Sequence, residues 1–435
     1  MREQKQKRPG ARCWKHCGAT ARNIHQKMRE RMTKKSTSKS SSAAQNPIVQ
    51  ILSAVAVIIA ALYMLITGQG GTPSATPTPS VPAPVTAIPT TALTPSANVT
   101  PIAFEQGIGA QKGFWQVYFT QPTGSRDRST YVNGIDTAVA AAIAQAQRTI
   151  DIAAFEFNNP VITQAVLEAI GRGVVVRLVG DNEHAIDDDD STVTDLELAG
   201  VEIVSDERSA FMHNKFMIID GLTVITGSTN FTVNDVYRNN NNLAIFRSRR
   251  MAEIYQIEFN EMFVDRSFGI RSPKGGGRFT QDGVNIEVLF APEDPVLDAI
   301  RREVQAARSS VRFMAFSFTL TDIGNTLVEE AQRGITIEGV FETVGSQTQF
   351  SRLTQLFCAG LDVRQDGNPF IMHHKVFIID DETVIAGSLN FSNNAATSND
   401  ENIFIIKDRD FAAQYVAEFR RVQDQARRPT SLTCE

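Results

Sequence analysis

Apolar residues in TAVAAAIAQAQRTIDIAAFEF, residues 137–157, first recur at helical spacing and then crowd into a β-rich run. That pattern predicts an amphipathic helix followed by a strand. The same order returns in VLDAIRREVQAARSSVRFMAFSF, residues 296–318. A second helix and strand follow in each place, in ITQAVLEAIGRGVVVRLVGD and IGNTLVEEAQRGITIEGVFE. LELAGVEIV and LFCAGLDVR then repeat a helix end, a glycine cap and a strand. Alternating helices and strands predict an α/β fold, each sheet flanked by helices. The repetition predicts two such lobes, over residues 110–272 and 280–430, with the Gly-rich RSPKGGGRFTQDG at 271–283 as the break. Two copies make a pseudo-symmetric pair rather than a solenoid.

One predicted strand in each lobe carries polar residues that a plain core strand would not. Residues 211–232 read FMHNKFMIIDGLTVITGSTNFT and residues 371–392 read IMHHKVFIIDDETVIAGSLNFS, matching at 13 of 22 positions with an offset of 160. Alternate side chains of a strand share a face, so His213 and Lys215 are presented together, while Asp220 points away as a structural partner. Gly227 permits a tight backbone, and Ser228 and Asn230 again share a face. The second copy supplies His373, Lys375, Asp380, Gly387, Ser388 and Asn390 at identical spacing. Each copy offers one base or nucleophile, one fixed cation and two hydrogen-bond donors. Duplication accounts for the likeness. It does not account for the persistence of polar groups among apolar ones, where their burial costs free energy.

HxKxxxxD followed after six residues by GSxN, present twice, resembles the signature of the phospholipase D superfamily, over about residues 112–428. The resemblance implies two duplicated lobes, each a mixed β-sheet flanked by helices, with one active site at their interface. It also implies metal-independent cleavage of a phosphodiester through a covalent phosphohistidine, with no cofactor. The residues suit that chemistry. A phosphodiester gains charge on its equatorial oxygens during displacement, and Lys215, Lys375 and the two Ser/Asn pairs would hold those oxygens. One histidine attacks phosphorus; the other protonates the leaving alcohol and then activates water. No rich Cys or carboxylate cluster demands a metal instead.

Some members of that family carry an acidic residue after GSxN that hydrogen-bonds the motif histidine. Glu401 stands 28 residues after His373, and Asn241 stands at the same offset from His213. A carboxylate beside His373 favours its charged form, so His373 is expected as the acid/base and His213 as the nucleophile. A carboxylate can also activate a nucleophile, as in a triad, which leaves the reverse assignment open. His374, between His373 and Lys375, is expected to face away.

Charge changes the picture at the N-terminus. The chain carries −5 overall, but residues 1–46 hold thirteen Lys/Arg and two Glu, so that head carries +11 and the remainder −16. IVQILSAVAVIIAALYMLI, residues 48–66, has no charged residue and would reach about 28 Å as a helix, enough for a bilayer core. The expectation is a basic cytoplasmic tail over 1–47, an uncleaved signal anchor over 48–67 and a catalytic body outside the cell membrane. Residues 68–109, rich in Pro, Thr and Ser, are expected as an extended spacer. Cys13 and Cys17 in CWKHC match no standard zinc spacing. For Cys358 and Cys434, two free thiols are expected over a bridge. The acidic run in HAIDDDDSTV, 184–193, lacks the spaced ligands of a calcium loop and reads as a solvated loop.

The tether and the negative body favour a phospholipid substrate, because nucleic-acid binding leans on clustered positive charge. A surface-tethered nuclease is the alternative. Composition says nothing of headgroup or oligomeric state.

Overall fold

The computed structural model describes residues 98–434. Nine strands of the first lobe are β1 (Thr100–Phe104), β2 (Gly107–Lys112), β3 (Trp115–Thr120), β4 (Thr149–Ala154), β5 (Val175–Gly180), β6 (Glu202–Ser205), β7 (Lys215–Ile219), β8 (Thr223–Gly227) and β9 (Asn242–Arg247). They form one sheet in the order β1-β2-β3-β9-β8-β7-β4-β5-β6. Its helices are α1 (Asp136–Ala144), α2 (Pro160–Gly171), α3 (Val193–Leu198), α4 (Val233–Tyr237) and α5 (Arg249–Phe263). The second lobe has β10 (Gly277–Gln281), β11 (Val284–Ala291), β12 (Ser310–Ala315), β13 (Thr336–Phe341), β14 (Asp362–Gln365), β15 (Lys375–Ile379), β16 (Thr383–Gly387) and β17 (Glu401–Lys407). Their order is β10-β11-β17-β16-β15-β12-β13-β14. Its helices are α6 (Val296–Gln305), α7 (Thr321–Gln332), α8 (Leu353–Cys358), α9 (Asn393–Thr397) and α10 (Arg409–Gln425).

Both sheets are mixed. β4 pairs parallel with β5 and antiparallel with β7, and β12 repeats this with β13 and β15. Local chemistry sets the helix ends. Asn159 caps α2 by accepting from the Val161 and Ile162 amides, with Pro160 in the first turn. Gly200 and Gly360, after α3 and α8, take φ of 96° and 82°, where a side chain would be strained. Residues 100–109, assigned to the spacer from composition, instead form β1 and the start of β2. Ile102 and Phe104 alternate against the first core, and Pro101 is tolerated because β1 is an edge strand.

The core has three parts. One lies on the α1/α2 face of the first sheet and one on the α6/α7 face of the second. The third lies between the sheets, where α5 and α10 bury Tyr255, Phe259, Phe411, Tyr415 and Phe419 against both. Helices α5 and α10 thus join the lobes through apolar burial.

Among the described residues, no helix is long and apolar enough to cross a membrane. The expected anchor at 48–66 and the basic head lie outside the described residues.

Cys358 and Cys434 form a disulfide with a Cα–Cα distance of 5.4 Å across a sequence separation of 76. This corrects the expectation of free thiols. Wide spacing along the chain carries no information about proximity once the C-terminal segment folds back. Replacing both with serine should lower the unfolding free energy by about 2–4 kcal/mol, measured by denaturant titration.

Candidate functional site

Two segments stitch the lobes together at the site. The His213 amide donates to the Asp400 carbonyl at 2.9 Å, and the His373 amide donates to the Asn240 carbonyl at 2.8 Å. Met212 bridges Asp400, and Asn240 bridges Met372. The stretch before each motif histidine therefore pairs with the stretch after GSxN in the other lobe.

That exchange crosses the partners. His213 Nδ1 lies 2.7 Å from Glu401 Oε2, and His373 Nδ1 lies 3.0 Å from Asn241 Oδ1. The expectation that Glu401 would serve His373, and Asn241 His213, is overturned. Asn241 is also held from behind: its Nδ2 donates to Asp235 Oδ1 at 2.7 Å, and that oxygen lies 3.4 Å from His373 Nδ1. Asp235 was missed in the sequence. Its signal was present, because TVND at 232–235 stands against SNNA at 392–395. Each histidine thus has one buried carboxylate behind it, touching directly at His213 and backed by an amide at His373.

The remaining motif residues divide between holding the site and lining it. Ser228 Oγ donates to Asn241 Oδ1 at 2.8 Å, and Ser388 Oγ donates to Glu401 Oε2 at 2.7 Å. Both serines are fully buried, so they hold the histidines' partners rather than phosphate oxygens, contrary to expectation. Lys215 Nζ donates to the His213 carbonyl and sits 4.7 Å from the Phe155 ring centroid; Lys375 repeats this with His373 and Phe316, at 4.9 Å. Asn230 donates to Glu156 Oε2 at 3.1 Å. The Oδ1 atoms of Asn230 and Asn390 have no partner among the described residues. Asp220 and Asp380 accept the amides of 147–149 and 308–310 in the turns before β4 and β12, away from the cavity. His374 turns into the core, onto Glu418 and Asn242.

His213, His373, Asn230 and Asn390 line one cavity of about 700 Å³, with Glu156 and Asp235 on its wall. A larger hollow of about 1060 Å³ in the first lobe meets Asp220 but none of the motif histidines, lysines or asparagines. We therefore place the chemistry in the smaller one.

Glycine is required at the GSxN turn by close approach. A Cβ on Gly227 would fall 2.4 Å from the Asn242 carbonyl oxygen, and on Gly387 2.2 Å from that of Asn402. Each carbonyl accepts the following serine's amide at 3.0 Å. Gly227→Ala or Gly387→Ala should cost about 3 kcal/mol, read by thermal unfolding, by pushing that strand pair apart.

Burial dominates the electrostatics. It drives both motif imidazoles well below their ordinary value, and the lysines push the same way. Burial lowers Lys215 to about 8 and Lys375 well below its ordinary value. Burial also raises Glu401 to about 8 against the pull of Lys215. The shifts on His213 and Glu401 agree: each favours the uncharged form. An anion entering the cavity would reverse that preference at the lysines and imidazoles.

Comparison with known proteins follows this architecture. A family model described as "Cardiolipin synthase, PLD-like domain" matches the chain twice, over residues 139–263 and 300–423. The chain is 36% identical over 121 residues to a mitochondrial cardiolipin hydrolase of Xenopus tropicalis, which is 28% of this chain and 57% of that protein. It is 32% identical over 132 residues to a phospholipase D of Rickettsia prowazekii, which is 30% of this chain and 64% of that one. The matches thus span less than two thirds of either relative. A solved phosphatidylserine synthase of Haemophilus influenzae shares the fold, with a TM-score of 0.52 and 15% identity, over 67% of this chain and 83% of that one. With both lobes matched, and one HxK…GSxN motif in each, the chain belongs to the phospholipase D superfamily.

Proposed function

We propose that the chain is a phosphodiesterase that hydrolyses a choline-type phospholipid to phosphatidate and free headgroup, through a phosphohistidine and without a catalytic metal. The observation that carries the reaction is the pair of buried histidines on one cavity, each with its Nδ1 engaged from behind by the other lobe. Both rings are thereby left to use Nε2. His213 attacks. Phosphorylation at Nε2 with Nδ1–H retained makes the ring a cation, and Glu401 is already in contact with that Nδ1. Because Glu401 stands behind His213 and not His373, it is the charge of the intermediate, not a carboxylate at His373, that assigns the attack to His213. His373 protonates the leaving alcohol and then takes a proton from water. Lys215, Lys375, Asn230 and Asn390 hold the phosphoryl oxygens.

The lipid reading rests on charge at the cavity's edge. An adjoining hollow of about 130 Å³ is walled by Glu156, His184, Asp188 and Asp190 and shares Glu156, Thr232 and Asn234 with the catalytic cavity. Asp188 and Asp190 come from the run expected as a solvated loop, and Asp187–Asp190 are exposed. They would repel a polyanion and suit a quaternary ammonium. By composition, the anchor at 48–66 and the basic head would tether the catalytic body outside the cell membrane. Protease added to intact cells should then release the catalytic body; complete protection would sink that topology.

Choline release from phosphatidylcholine vesicles, run against cleavage of single- and double-stranded DNA, with both assays in EDTA, tests the substrate. Lipid turnover without DNA cleavage is expected. DNA cleavage without lipid turnover would establish a nuclease instead.

A further inference from the structure

We infer that a hard divalent cation of calcium's size binds between Glu258 and Glu261 of the first lobe and Glu293 of the second, apart from the catalytic cavity. One carboxylate oxygen from each lies within 4.8 Å of the others. Oxygens about 2.3–2.6 Å from a shared calcium stand no more than about 5 Å apart, so the three fit one ion, with water completing its shell. Glu258 and Glu261 are one turn apart on α5, and Glu293 comes from the turn after β11.

Two observations make this more than an acidic cluster. Glu258 is 1% exposed, and among the described residues no donor outside the cluster reaches its Oε2, Glu261 Oε2 or either Glu293 oxygen; Glu258 and Glu293 meet only carboxyl to carboxyl. The second lobe also shows what such a position requires. At the offset of 160, Glu258 corresponds to Glu418, Glu261 to Arg421 and Asn214 to His374. Glu418 accepts from Arg421 at 2.6 and 2.8 Å and meets His374 Nε2 at 2.9 Å, so that buried carboxylate has a cation at its side. In the first lobe the guanidinium is replaced by another carboxylate and the imidazole by an amide. Asn214 Nδ2 reaches Glu258 Oε1 at 3.5 Å, and none of the described residues brings a Lys, Arg or His side chain into hydrogen-bond or ion-pair contact with Glu258, Glu261 or Glu293. Burying negative charge without a cation is costly, and a bound divalent ion supplies what Arg421 supplies opposite. The cluster also braces the site: Asn214 Oδ1 accepts from Asn402 Nδ2 at 2.8 Å, and Asn402 follows Glu401.

The full chain in detergent, stripped with EDTA and then freed of it, is titrated with CaCl2 or MgCl2. Binding is read by calorimetry and unfolding by tryptophan fluorescence. Calcium at about 100 times its dissociation constant should raise Tm by about 3–6 °C, and magnesium by less. Glu261→Arg, which copies the second lobe, should abolish calcium binding and unfold in EDTA no lower than the stripped wild type. Glu293→Gln should weaken calcium binding at least about tenfold, because each ligand charge tunes affinity. No calcium heat and no Tm shift in the wild type would overturn the inference. So would a Tm shift that survives in Glu261→Arg, or stabilisation that comes only from acidification, which would mean that protons and not a cation neutralise the cluster.

Discussion

Alanine at His213 should leave no phosphoenzyme, whereas alanine at His373 should leave one that accumulates. The two rings line one cavity and differ in what stands behind them, a carboxylate in contact for His213 and an amide backed by Asp235 for His373. Loss of the attacking nitrogen should cost roughly 10⁵-fold or more in turnover, since no second nucleophile replaces it. Loss of the acid should cost roughly 10²–10⁴-fold with an alcohol leaving group. A p-nitrophenyl phosphodiester separates the roles, because p-nitrophenolate leaves without a proton. His373→Ala should still release p-nitrophenol in a burst and then stall, since no base is left to activate water. Mapping ³²P in the stalled enzyme should find it on His213. Label on His373, or a burst from His213→Ala, would reverse the assignment.

The order of elements was readable because helix and strand periods are local. The helix–strand pairs predicted at 137–157 and 296–318 are α1 with β4 and α6 with β12. Most of what the sequence hid is of one kind: contacts made when distant segments meet. Glu401 lies 28 residues from His373 and 188 from His213, yet it binds the distant one. The reason is that each lobe's post-GSxN segment pairs with the other lobe's motif, which spacing within one copy cannot reveal. The Cys358–Cys434 bridge and the Glu258, Glu261, Glu293 cluster are hidden for the same reason. Ser228 and Ser388 were misread differently. Alternation predicts a shared face for Ser228 and Asn230, but β8 ends at Gly227 and the chain turns, so the serine points to Asn241 and the asparagine to the cavity. Differences between the copies remain the most informative sequence signal. Asp235 against Ala395 and Glu261 against Arg421 each mark a place where the two lobes surround buried polar groups differently.

Glu401→Gln should lower kcat by about 10²–10⁴-fold without lowering stability in alkali. The glutamine keeps the size and can keep a hydrogen bond to His213 Nδ1, so the cavity's shape survives. What it removes is the charge that faces the phosphorylated, cationic ring, a loss comparable to neutralising the carboxylate of a catalytic triad. The pH profile separates this from simple damage. Burial raises Glu401 to about 8 in the fold, so its carboxylate becomes available as pH rises through that value, giving kcat/KM an acid limb there. Burial lowers Lys215 to about 8, so its ammonium is lost as pH rises through the same range, giving the alkaline limb. The wild type should therefore show a narrow bell centred near pH 8, whose two values belong to the coupled groups together. In Glu401→Gln the acid limb should vanish and the alkaline limb remain. The sign for stability follows from the same shift. A carboxyl raised above its unfolded value binds a proton more tightly in the fold, so its contribution to stability declines as pH rises from about 4.5 to about 8. Glutamine has no such decline, so at pH 9 its Tm should equal or exceed that of the wild type. An unchanged bell in Glu401→Gln would show that Glu401 does not act on His213 during attack, whatever the loss of rate.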